Sequence, residues 1–595
     1  MTTSPKRAAA FLWNNIGYIC VALAAVFCVV HAFDPPRLNW GDSGSDFNAM
    51  GSGRNFQKYG FLNLRLTPFL LDPAVMTVQN DRVFIYVHYP QLPDLMNGLL
   101  RVVFRLSDIV QFRFVALCFS FSALFFVYRL VERFWGRLAA QIAVALWVTN
   151  PLWIQHADYL HHIPYGAFFG FGSLYALCRY LDDVSRRRWL GIAGFMFAMA
   201  FMASYDWWFF GPLLVLFVAS DRFQAIRPAI PVLSIMAAAG AAAILFKLGT
   251  NAWALDGIEP WLRDLRFQFA ERATDRITRT NYQSGAWETL YGRVERFFTL
   301  LLFPVTLFWV FFPLVRPRMR RWIPAVDSVR ANPLMVLLAA LPFLLMFMEI
   351  WVAQYYPGVL VVPFYAIGCA VVAAMLFDAP AVIAKTASVV FVLALLGNAA
   401  DENLSFPAEF FPRAVIARMG PQLDSLSPRV KEVLVNHGFD AQYRYYFNRK
   451  IVGMTLIPPR VSDQALISFA NPGTHPRTAD RNGTIFIQHK QVVDQLYDKG
   501  YYYVLGRYHL WNWWGNPRKN RSFIDQFVRD RDSTLMANVA KVGFKVYDDP
   551  YYSIWRIPPQ PDSVKAADSP GFRPPIAPAA VPSPRSSTGK PGQFR

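Results

Sequence analysis

The chain has 595 residues, of which 54% are hydrophobic and only 17% charged, against about 25% charged in an ordinary soluble domain. Apolar runs of about 20 residues recur, the length that crosses the hydrocarbon layer of a bilayer; a soluble globular protein is excluded and a polytopic α-helical membrane protein is expected. The net charge of +19 does not point to nucleic acid, because much of it lies in short loops between apolar runs and in the C-terminal region, where topology and anionic lipid account for it.

The first apolar stretch, residues 11–32, has no small-residue cleavage site and reads as a retained span. About eleven spans are expected: 11–32, 112–132, 138–156, 164–181, 189–205, 207–220, 228–248, 296–315, 333–352, 358–377 and 381–399. Lys6 and Arg7 precede the first. Every second short loop is basic, with Arg133 and Arg137, then Arg186, Arg187 and Arg188, then Arg222 and Arg227, then Arg316, Arg318, Arg320 and Arg321. The positive-inside rule places these loops in the cytoplasm. Residues 33–111, 157–163, 205–207, 249–295 and 353–357, and the C-terminal region, are then extracytoplasmic. The five cysteines, Cys20, Cys28, Cys118, Cys178 and Cys369, all fall in apolar stretches without a CxxC pair. Zinc-finger or dithiol chemistry is therefore not expected.

The large first outer loop, 33–111, carries Asp42 and Asp46 in the run NWGDSGSDF, then Arg54 and Lys58, then His88 in VHYPQLP. The second outer loop offers His156, Asp158, Tyr159, His161 and His162. The third offers Asp206 beside Trp207 and Trp208. The fourth holds Arg263, Arg266, Arg272, Arg276 and Arg279, the last three spaced to share one helical face. The fifth brings Glu349, Gln354, Tyr355 and Tyr356. Ionisable groups at membrane depth are costly and mark function by default. Each has a plainer reading. Asp42 and Asp46 suit turns, Asp158 a helix cap, Trp207 and Trp208 an interfacial belt, and the arginines a helix lying on anionic headgroups. In chemical terms, a carboxylate can serve as general base and arginines grip phosphate bidentately. His156, Asp158, His161 and His162 are the candidate ligands for a divalent metal ion, although no HExxH spacing is present.

From about residue 401 to 560 the pattern changes to mixed charged and aromatic residues, and a small α/β domain is expected. Residues 500–505 (GYYYVL) and 551–556 (YYSIWR) read as strands. Pro428 to His437 reads as a helix, with Ser427 as its cap and Gly438 as its stop. Residues 561–595 are rich in Pro, Ser and Ala and are expected to be disordered.

One span, a large acidic outer loop, a YPQLP element, Arg113 opening the second span, a basic hairpin and an outer-loop aspartate follow one another. This arrangement resembles the polyprenyl-phosphate-dependent glycosyltransferases of the C-type fold, in the style of relatives of protein O-mannosyltransferases and the lipid A aminoarabinose transferase. The resemblance covers roughly residues 10–400 and rests on 39–113 and 150–182. It implies transfer of a sugar from a polyprenyl-phosphate donor to a lipid, glycan or protein acceptor, at the outer face of a bacterial inner membrane. Asp42 is followed by Ser43 where such enzymes commonly carry an acidic pair, so the catalytic acid stays open between Asp42 and Asp46, with Asp158 as a further candidate. Gln354–Pro357 resembles the late outer-loop element near the donor phosphate. Arg54, Lys58, Arg272, Arg276, Arg279, Gln354 and Tyr355 are then the expected phosphate-binding residues, with His88, Asp206 and Glu349 nearby. Neither GxGxxG nor a Walker loop occurs, which favours a lipid-linked over a nucleotide-linked donor. The competing readings are a transporter or flippase of lipid-linked glycans, and a non-catalytic envelope assembly protein that uses the cluster Trp511, Trp513 and Trp514.

Overall fold

The computed structural model describes residues 13–33, 43–71, 89–222, 226–263, 297–323, 329–346 and 356–405, five strands between 432 and 557, and a few isolated positions. Helix α1 is Ile16–Phe33, followed by α2 (Ser43–Tyr59) and α3 (Leu92–Phe104). Then come α4 (Ile109–Trp135), α5 (Arg137–Thr149), α6 (His162–Asp182), α7 (Arg187–Ala203) and α8 (Asp206–Arg222). The remaining helices are α9 (Ile226–Ala254), α10 (Leu302–Met319), α11 (Leu334–Met346), α12 (Val362–Asp378) and α13 (Val382–Ser405). Each expected span falls on one of these helices, α2 and α3 being the helices of the first loop. Among the described residues, five of the helices are long and apolar enough to cross a membrane by length and composition.

Local chemistry explains the limits of α4. Asp108 caps it, accepting from the Val110 N–H at 2.8 Å, while the Gln111 side chain reaches back to the Asp108 N–H at 3.2 Å. This reciprocal box satisfies two backbone donors that a helix start leaves open. At the far end Gly136, with φ near +88°, stops the helix. Twenty-seven residues span about 40 Å at 1.5 Å each. The two ends of α4 therefore lie on opposite sides of the bundle. Arg133 pairs with Asp182 at one end, among the basic loops; the first-loop helices pack at the other.

Helix α3 has its polarity inverted. Asp94, Asn97 and Arg101 are buried, whereas Leu99, Val102, Val103 and Phe104 are exposed. Such a helix turns its polar face to the protein and its apolar face to lipid, as an interfacial helix does. Gly98 lets α3 approach α2, since a Cβ there would sit 2.9 Å from Phe56. The loop is tied to the C-terminal end of α9 by the Arg65–Asp256 ion pair and by Gln91 Nε2 donating to Thr250 Oγ1 at 2.6 Å.

The C-terminal strands β1 (Glu432–Val435), β2 (Lys450–Gly453), β3 (Thr484–His489), β4 (Phe544–Asp548) and β5 (Tyr552–Ile557) form one sheet in the order β2-β1-β3-β5-β4. The β1 strand runs parallel to β2 and β3, and β5 antiparallel to β3 and β4. The strand expected at 551–556 is β5. The helix expected over 428–437 is corrected: residues 432–435 form a central strand instead. Val433, Leu434 and Val435 pair with neighbours on both sides, and that long-range pairing overrides the local cap and stop signals. The strand expected at 500–505 and the tail 561–595 lie outside the described residues.

Trp207 is also corrected. It is not an interfacial residue but is buried where α8 crosses α6, over Gly166 and Gly170. A Cβ at Gly170 would lie 2.1 Å from the Trp207 ring, whereas one at Gly191 on α7 would meet nothing within 4 Å. Gly170→Ala is therefore expected to destabilise the bundle by about 1–3 kcal/mol through overpacking. Gly191→Ala should be neutral or stabilising by up to about 1 kcal/mol. Thermal unfolding of the two variants in detergent checks the contrast; equal melting temperatures would refute it.

Candidate active site

Asp46 lies in the first turn of α2 and is 0% exposed. Its Oδ1 accepts the backbone N–H of Leu160 at 2.8 Å, and its Oδ2 accepts Nη2 of Arg113 at 3.2 Å. Arg113, one turn into α4 and 2% exposed, also turns its Nε towards Asp158 Oδ2 at 3.8 Å. Two carboxylates from separate segments of the chain thus share one buried guanidinium. Asp158 does not cap the following helix: the cap position of α6 is His161, and it makes no side-chain cap bond. Burial pushes the Asp46 carboxyl up to about 7; Arg113 and the Leu160 N–H pull it back, and Asp158 pushes it up further. A carboxyl held there is balanced between proton acceptor and donor near neutrality.

A second row of groups runs alongside. Asp94 Oδ2 lies 3.9 Å from His161 Nε2, His161 Nδ1 lies 2.9 Å from His162 Nδ1, and His162 Nε2 lies 3.9 Å from Asp206 Oδ2. Tyr89 covers both imidazoles, edge-on to His161 and stacked on His162. Lys247 of α9, 2% exposed, donates to the Tyr89 carbonyl. Burial raises Asp94 to about 7, offset by the Ser52 hydroxyl and by Lys247. Burial lowers His161 to about 4, with Lys247 adding to the effect. Asn97 donates to the Leu160 carbonyl at 3.1 Å and accepts from Tyr165 at 3.4 Å, linking this row to the segment that holds Asp46. Behind His162 and Asp206 lies a cavity of about 40 Å³, lined also by Ser120, Trp153, Ser204 and Trp207. That is room enough for ordered water.

The expected metal set does not assemble. Among the described residues no three His, Cys, Asp or Glu side chains are placed to hold an ion. His156 Nδ1 is turned onto the Leu152 carbonyl at 2.8 Å, and Asp158 faces Arg113. Of the expected phosphate-binding residues, Arg54 is half-buried on α2, and Lys58 is exposed near the end of that helix over the Tyr59 ring. Arg263 is exposed and faces Glu259. Asp42, His88, Arg272, Arg276, Arg279, Glu349, Gln354 and Tyr355 lie outside the described residues. Asp94, Asn97, Arg101 and Lys247 were not anticipated. The first three recur three and four residues apart, one face of a helix otherwise apolar. Lys247 is a lone cation in an apolar run, a signal in its own right.

Residues 93–246 match the family model of dolichyl-phosphate-mannose-protein mannosyltransferases. That segment holds Asp94, Arg113, Asp158, His161, His162 and Asp206; Asp46 and Lys247 fall outside it. The matched segment is less than half of the chain and makes it similar to that family from α3 to α9. The structure is similar to ArnT from Cupriavidus metallidurans bound to undecaprenyl phosphate, at 13% identity over 91% of this chain and 97% of that one, with a TM-score of 0.46. It is also similar to the oligosaccharyltransferase of Archaeoglobus fulgidus, at 12% identity over 82% of this chain and 71% of that one, with a TM-score of 0.49. No curated protein sequence matches the chain.

The contact between His161 Nδ1 and His162 Nδ1 needs one proton between the two atoms. Burial pushes both imidazoles down, which favours the neutral form, and two neutral rings sharing that contact are in opposite tautomers, one carrying its proton on Nδ1 and the other on Nε2. Nitrogen NMR of ring-labelled protein between about pH 6 and pH 8 should show one of each. Two rings of the same tautomer, or a doubly protonated ring in that range, would contradict the arrangement.

Proposed function

We propose that the protein moves a sugar from a polyprenyl-phosphate donor to a lipid, glycan or protein acceptor at the extracytoplasmic face, with Asp46 as general base. The observation that carries this reading is the carboxylate of Asp46, buried and held by Arg113 and the Leu160 N–H at the outer end of α4. The acceptor hydroxyl attacks the anomeric carbon and passes its proton to Asp46. The carbon–oxygen bond to phosphate breaks, and the lipid phosphate leaves with the bonding electrons. Its charge is met by cations lining the same region; Lys247, Arg54 and Lys58 are the described candidates, and the arginines at 272, 276 and 279 remain part of the proposal. Arg113 keeps Asp46 oriented while Asp158 balances the guanidinium. The bundle walls give the lipid chain an apolar surface to lie against, which is why such a transfer belongs in a membrane protein. The alternating basic loops support an N-terminus in the cytoplasm and a C-terminal sheet outside. The sheet shares a hydrophobic cluster with α2, the outer-loop helix, as that topology requires.

Asp46→Asn is expected to lower turnover by about 10²-fold or more while the protein stays folded. Transfer from a radiolabelled polyprenyl-phosphate sugar to membrane lipids or glycans by the purified protein is the measurement. Unchanged turnover in Asp46→Asn, with loss in Asp42→Asn, would move the role to Asp42. Because burial raises Asp46 to about 7, its basic form is lost as pH falls through that value, so turnover should rise with pH across about pH 6 to 8. A flat profile there would remove Asp46 from the proton transfer.

A further inference from the structure

The C-terminal sheet is not a separate appendage. Val433 on β1, Ile485 on β3 and Ile554 on β5 are fully buried, and with Leu423 they belong to one apolar cluster that also contains Phe47, Met50, Phe112 and Leu160. The strand registers set Val433 opposite Ile485 and Ile487 opposite Ile554. Side chains two apart on a strand share a face, so all three project from the same side of the sheet.

The membrane-side members of this cluster are the immediate supports of Asp46. Phe47 is its neighbour in the chain. Leu160 supplies the N–H that its Oδ1 accepts, and Phe112 precedes Arg113, which binds Oδ2. Every element that fixes the carboxylate therefore has a side chain in the apolar cluster that the sheet completes. We propose that the C-terminal sheet positions the catalytic carboxylate: its apolar face presses Phe47, Leu160 and Phe112 together and closes the Asp46 site to water. The proposal rests on the reading of Asp46 as the base. It gives the C-terminal domain a role in the chemical step itself, through contacts made by the sheet and not by any residue that touches substrate.

The test uses the full-length protein with Ile485→Val, Ile485→Ala and Ile554→Val, read by turnover, donor KM and the pH profile of turnover, with folding checked by gel filtration and melting temperature. A carboxylate misplaced by about 1 Å loses roughly 10²-fold in rate. Ile485→Ala should therefore lower turnover by about tenfold or more at unchanged donor KM, and the two valine variants should lower it less. Among the described residues the groups facing Asp46 are Arg113, Asp158, Tyr165 and the Leu160 N–H, and none of them is altered. Water admitted to the site relieves the desolvation of Asp46, so the acidic limb of the profile should move to lower pH in Ile485→Ala and less far in the two valine variants. A loss of stability alone would not move that limb. Should Ile485→Ala not fold, the same smaller shift in the valine variants decides. Folded variants with wild-type turnover and an unmoved limb would overturn the proposal. So would losses confined to donor KM. Asp46→Asn, assayed in parallel, separates the two failures: if it is inactive while the isoleucine variants behave as wild type, the sheet does not act on the base; if it is fully active, the base has been misassigned.

Discussion

One guanidinium organises one end of this protein. Arg113 is buried between Asp46 and Asp158, which come from segments more than a hundred residues apart. Removing three charges from water costs more than their attraction returns unless the geometry is tight and further hydrogen bonds help. Such a cluster is therefore poor evidence of stabilisation and better evidence of a requirement for charge at that point. The first-loop helix, the opening of the second span and the turn before α6 must meet within ion-pair reach of Arg113. Moving any one of them leaves a buried charge without compensation, which is costly.

The surrounding architecture serves that meeting point. Asp108 and Gln111 fix where α4 begins, and so where Arg113 lies. Arg65 and Gln91 fasten the first loop to α9, which brings Lys247 against Tyr89 and close to Asp94. Small residues on α6 admit Trp207, so α8 packs close enough to place Asp206 beside His162. The two rows of ionisable groups are thus supported from different helices, but Asn97 and Leu160 join them. A rearrangement at one row is transmitted to the other through the short segment 157–162.

The spans were legible because length and apolarity are local properties. Asp46, Asp158, His161, His162 and Asp206 could be collected from the sequence because polar residues at span ends stand out. How they pair could not. His161 and His162 suggested a metal, yet the two rings face each other and His156 turns away to its own helix turn. The segment 432–435 carries the cap and stop signals of a helix. Its fate was decided by partners at 450–453 and 484–489 that no local rule contains. Asp94 lies in the first loop, where its three- and four-residue spacing with Asn97 and Arg101 is the local sign of a shared face. Only the knowledge that the apolar side of this helix faces outward reveals that the polar side faces a site.

Helix α3 has a consequence for the setting in which this protein works. Leu99, Val102, Val103 and Phe104 point away from the protein, while Asp94 and Arg101 point into it. The height at which such a helix floats is set by where hydrocarbon gives way to headgroups, and bilayers differ in that thickness by a few ångströms. The chain is anchored to the same bilayer through its long spans, so a thicker or thinner membrane pulls the two against each other. The strain falls on the joint between α3 and the turn at 157–162, where Asn97 bonds to Leu160. The lipid around this protein is then more than its solvent: acyl-chain length bears on the geometry of the ionisable groups gathered at that joint.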